Sequence, residues 1–66
     1  MNKVLYIQDG DRIEQYKFCR IDGLGDEYTD DKWWHSYIVT PKGELLTWTL
    51  NGNYIPSARK FWTKEA

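Results

Sequence analysis

Most residues that usually announce an activity are scarce or missing in this chain. Cys19 is the only cysteine, so no internal disulfide and no cysteine-built zinc site is available, and a reducing, cytoplasmic setting is expected. Nine basic residues stand against ten acidic ones, a formal charge of −1, and the basic excess that neutralises phosphate is absent. That balance argues against nucleic acid as the first partner. The apolar run at the N-terminus, Val4 to Ile7, is too short for a signal peptide and far short of the roughly 20 residues of a membrane span. His35 is the only histidine, and no nucleophile or carboxylate is tied to it by motif. Walker, dinucleotide, HExxH and GxSxG patterns do not occur. We therefore assign no catalytic residue, metal ligand or cofactor, and expect no enzyme.

What the chain has is aromatics: 4 Trp, 5 Tyr and 2 Phe in 66 residues, large side chains that fill a small core at low rotamer cost. One domain, 1–66, is expected, because a chain this short supports a single core. Val4 to Ile7 reads as a strand closed by a tight turn at Asp9-Gly10-Asp11. Residues 12–21 keep a mostly two-residue period and read as a second strand with a bulge, with a short helix capped by Asp11 as the rival. From Asp22 to Lys32, two glycines and five acids predict a loop. Its carboxylates lack the spacing of a calcium-binding loop. Residues 58–66 read as a last strand or a turn of helix.

The segments 33–40 and 45–50 are the clearest strands, joined by Pro41-Lys42-Gly43 and followed by Asn51-Gly52. A three-residue loop ending in Gly pairs Thr40 with Glu44 and hence Ile38 with Leu46. A two-residue turn at Asn51-Gly52 pairs Trp48 with Ile55. Folded this way, Trp34, Ile38, Leu46, Trp48, Leu50 and Ile55 share one face, predicted as core. Trp33, His35, Tyr37, Val39, Leu45, Thr47, Thr49 and Tyr54 share the other, a ring-and-hydroxyl surface read as open for binding, with a cover of that face by the N-terminal strands as the alternative. On this reading Trp48→Ala unfolds the protein and Trp33→Ala spares the fold. The register carries the whole division, since a slip of one residue exchanges the faces.

Asp31-Lys32-Trp33-Trp34, then Tyr54-Ile55-Pro56-Ser57, with Leu5-Tyr6 upstream, resembles the signature of Src-homology-three domains. The resemblance implies a five-stranded barrel with a groove for an extended proline-rich ligand, Tyr6, Trp33 and Pro56 falling on groove positions. Ile7-Gln8 stand where that family has Asp-Tyr, and Arg59 where it has its last groove tyrosine.

The fold expected is thus all-β, a small antiparallel meander or five-stranded barrel of the Src-homology-three kind. The function expected is a protein- or peptide-binding module. Its contact residues are Tyr6, Trp33, His35, Tyr37, Tyr54 and Pro56, with Asp26, Glu27 and Asp30 selecting a basic partner. A second reading is a stand-alone inhibitor that blocks a larger host complex, as short phage and mobile-element proteins do. A third is single-stranded nucleic acid stacked on the exposed rings, with Lys17, Arg20, Lys32 and Lys42 holding phosphate.

Overall fold

The computed structural model describes residues 3–30 and 35–65. Trp33 and Trp34 lie outside the described residues. Seven antiparallel strands form one sheet: β1 (Lys3–Asp9), β2 (Arg12–Asp22), β3 (Gly25–Thr29), β4 (Ser36–Val39), β5 (Leu45–Trp48), β6 (Tyr54–Pro56) and β7 (Lys60–Glu65). The first six follow one another as a meander, and β7 returns to pair with β1, giving the order β6-β5-β4-β3-β2-β1-β7. The protein is all-β and antiparallel, as expected, with seven strands among the described residues where about five were expected.

The connection from β6 to β7 forces the sheet to curl. Six strand spacings separate these two edges in the order, about 29 Å in a flat sheet. Yet Pro56 and Lys60 are only four residues apart, a reach of about 15 Å. The sheet therefore rolls into a half-barrel, and its three principal extents of 29, 28 and 27 Å leave no thin dimension.

The inside of the curl is the core. Leu5, Ile7, Tyr16, Tyr28, Tyr37 and Leu45 are buried together, with Phe18, Val39 and Phe61 packed against them. Tyrosine rings do much of the filling: Tyr16 meets Tyr37 with centroids 4.7 Å apart, and Phe18 meets Tyr28 edge-on at 5.8 Å. Burial, with Tyr37 at its side, holds the Tyr16 phenol well above its ordinary range.

Local signals decided much of this. β1 and β2 pair through the turn after Asp9, where Gly10 takes a φ of 64°. β2 is a strand rather than a helix, and its register slips between Phe18 and Arg20, which leaves Cys19 in the bulge. The Pro41-Lys42-Gly43 turn pairs Ile38 with Leu46 and closes with Thr40 N donating to the Glu44 carbonyl at 2.9 Å.

Three expectations fail. Segment 22–32 is not one loop, because β3 runs through it between β2 and β4. Asn51-Gly52 does not form a two-residue turn: Thr49 N donates to the Asn53 carbonyl at 2.8 Å, and Trp48 pairs with Tyr54 instead of Ile55. The Thr49 hydroxyl accepts from Asn53 N at 3.3 Å, as the Thr40 hydroxyl accepts from Glu44 N at 3.1 Å. Thr-x-x-Gly-x thus makes the same loop twice, each with its Gly at a positive φ, 85° and 87°.

The third failure is the choice of face. Tyr37, Val39 and Leu45 point into the core, Tyr37 at 5% exposure, while Trp48 is 45% exposed and Leu50 fully so. Ile55 is half-exposed at 47%, and among the described residues of the predicted core only Ile38 is fully buried. Ile38 lies on the outer side of the sheet, between Glu27 and Leu46 in the ladder.

Candidate functional site

The outer face of the half-barrel carries two separate aromatic pairs. At one end Trp48 of β5 and Tyr54 of β6 are cross-strand partners, their rings edge-on with centroids 5.0 Å apart. Pro56 follows on the same side of β6, exposed and opposite Leu46. At the other end Tyr6 of β1 and Trp62 of β7 are partners whose rings stack at 5.6 Å and 12°. The Lys64 ammonium sits 5.8 Å from the Tyr6 ring centroid, within range of a cation–π contact.

Tyr54 is anchored from beneath by a polar network. Its hydroxyl donates to Glu27 Oε2 at 2.8 Å, Ser36 Oγ donates to the same oxygen at 2.9 Å, and Arg20 Nε donates to Oε1 at 2.7 Å. The Ser36 and Tyr54 hydroxyls are themselves 2.7 Å apart. Two hydroxyl protons can fill only two of these three oxygen–oxygen contacts at once, and with both donated to the carboxylate the two hydroxyls touch without a hydrogen bond between them. Glu27 is buried at 6% exposure. Burial pushes its carboxyl upward, but the bonds from Tyr54, Arg20 and Ser36 outweigh it and leave the group below its ordinary value. Tyr54 is shifted upward, by burial first and then by the adjacent carboxylate.

The expected contact residues scatter. Tyr54 and Pro56 share the β6 surface, and Tyr54 meets Glu27 directly. Tyr6 sits at the far end of the sheet with Trp62. Tyr37 is a core residue, because Tyr28 and Tyr16 close over it from β3 and β2, so it is not a contact residue of an open face. His35 is exposed just before β4, and its carbonyl accepts from Asp30 N at 3.4 Å. Trp33 lies outside the described residues.

Among the described residues, Asp26 and Glu27 do not form an exposed acidic loop. Both are in β3, where Asp26 pairs with Lys3 at 3.3 Å and Glu27 with Arg20. Asp30 is half-buried at the rim of a depression lined also by Val4, Gln15, Lys17 and Thr29. Trp48 and Trp62 were not among the expected contact residues. For Trp62 a signal was present: Lys60-Phe61-Trp62-Thr63-Lys64 alternates, and as a strand it sends Phe61 and Thr63 inward and Lys60, Trp62 and Lys64 outward.

Cys19 is a free, half-buried thiol in the bulge. Among the described residues no three His, Cys, Asp or Glu side chains gather where a metal ion would bind, and no helix is long and apolar enough to cross a membrane. No family model, curated protein or solved structure matches this chain, so its reading rests on its own geometry.

Proposed function

We propose that the chain is a non-catalytic protein-binding module of a reducing, cytoplasmic compartment, and that the Trp48–Tyr54–Pro56 surface is where it grips its partner. The single observation that carries this reading is Trp48: a large indole left 45% exposed in a protein that buries its other strand aromatics more deeply. Exposed apolar neighbours, Leu50 in the adjoining turn and Pro56 along the strand, widen the patch. Tyr54 is already fixed by Glu27 and Ser36, so ordering it on binding costs little, and rigid Trp and Tyr side chains are the usual anchors of protein contacts.

The test compares wild type with Trp48→Ala as baits after circular dichroism has shown that both are folded. A partner held by wild type and lost by the variant supports the reading. A partner held equally by both removes it. A single large partner captured one-to-one would favour the inhibitor reading over a module with many weak ligands.

A further inference from the structure

The other aromatic pair lies beside an open strand edge, and its charge is sorted. β7 ends the strand order and pairs on one side only, with β1. Among the described residues nothing pairs with its other side, which presents backbone donors and acceptors along Lys60–Glu65. The outward positions of the three strands at this end are Ile13, Gln15 and Lys17 on β2, Val4, Tyr6 and Gln8 on β1, and Lys60, Trp62 and Lys64 on β7. The outward row of β7 itself holds two lysines and no carboxylate, in a chain whose net charge is −1, while Lys17 on β2 lies farther from the edge, in a depression it shares with Asp30. Lys60 and Lys64 are exposed, and neither has an ion-pair partner among the described residues.

We infer that the free edge of β7 takes an extended segment of a partner protein as an eighth strand, and that the row Lys60, Trp62, Lys64 selects one presenting acid, apolar and acid at the facing positions. Strand addition satisfies the edge groups whatever the sequence, and side chains on alternate positions supply the choice. Carboxylates opposite the two lysines and an apolar group against the Trp62 indole are the cross-strand pairs that stabilise a sheet, while like charges oppose it. Between them, the positions facing Phe61 and Thr63 fall on the inner side, where Phe61 is only half-buried and gains cover from apolar residues.

Two other occupants fit less well. A second copy paired antiparallel about Trp62 would set Lys60 against Lys64 twice, the arrangement by which lysines guard an edge from self-association. Single-stranded nucleic acid needs an open ring face, but Tyr6 and Trp62 stack on each other and Lys64 approaches the Tyr6 ring.

The probe is the acetylated, amidated peptide Ser-Glu-Val-Val-Val-Glu-Ser, titrated at low salt into the isotope-labelled full chain and followed by NMR. Its control replaces both glutamates by lysine. The expected result is saturable shifts at the amides of 60–65 and at the Trp62 indole, with alternate β7 amide hydrogens exchanging at least about tenfold more slowly at saturation. Lys60→Glu with Lys64→Glu weakens binding about tenfold or more. Trp48→Ala leaves it unchanged, so this surface and the β6 surface succeed or fail separately. Circular dichroism verifies the fold of each variant.

The inference is overturned by no saturable shift up to millimolar peptide, by equal binding of the lysine peptide, or by shifts centred on Trp48. It is equally overturned by a ten-residue oligothymidylate that binds β7 more tightly than the peptide, or by dimerisation through β7 with rising protein concentration.

Discussion

Replacing Glu27 by Gln keeps the shape of the side chain and removes its charge from a buried position with three donors. A hydrogen bond to a charged group is stronger than a neutral one by about 1 kcal/mol. Counting only the bonds from Ser36 and Tyr54, and leaving out Arg20 because most of its side chain is in water, the loss is about 2 kcal/mol. In a domain of this size that lowers the thermal midpoint by about 10 °C. The pH dependence separates charge from shape. The folded carboxyl lies below the ordinary glutamate value of about 4.3, so folding favours the ionised form. Its contribution is complete above that value and lost as pH falls through the lowered folded one. Urea denaturation of wild type and Glu27→Gln should therefore differ most near pH 7 and draw together as the pH falls below the ordinary glutamate value. A gap under about 0.5 kcal/mol at pH 7, or the same gap at pH 3, would refute the network as a source of stability.

Other outcomes follow from particular contacts. Trp48→Ala, expected from sequence to unfold the protein, should instead cost under about 1.5 kcal/mol, because close to half of the side chain is in water; chemical denaturation measures it. Gly25→Ala should cost several kcal/mol, since its Cβ would collide with the Val39 carbonyl oxygen and fall 2.9 Å from the Thr40 Cα. Gly23→Ala in the same turn meets open space and should be near neutral, so equal thermal midpoints for the two variants would contradict the packing of β3 on β4. Tyr16, Tyr28 and Tyr54 are all raised by burial first, so their phenols stay protonated past the usual range near pH 10. Their contribution is whole below that range and lost as pH rises through the folded values; ultraviolet titration should show delayed ionisation that becomes ordinary in urea.

Short-range chemistry was legible in the chain. The turn after Asp9, the bulged strand through Cys19 and the pairing of Ile38 with Leu46 each follow from residues within a few positions of one another. The loop at Thr49 to Asn53 was legible too, had Thr-x-x-Gly-x been matched to the loop at Thr40. Asn51-Gly52 satisfies the φ demands of a shorter turn, but the Thr49 hydroxyl favours the longer one. β3 was hidden because Asp26 and Glu27 look like loop residues until Lys3 and Arg20, distant in sequence, arrive beside them.

The order of residues by itself determined most strands other than β3, most turns and the ladder between β4 and β5, since these depend on backbone geometry and neighbours in the chain. It could not choose a side for β4 and β5, because Tyr37, Val39 and Leu45 on one side are as apolar as Ile38, Leu46 and Trp48 on the other. Only the tertiary structure decided it: the short link from β6 to β7 curls the sheet, and the curl closes Leu5, Ile7, Tyr16 and Tyr28 over the tyrosine side. Trp48 is left outside because the inside was already full.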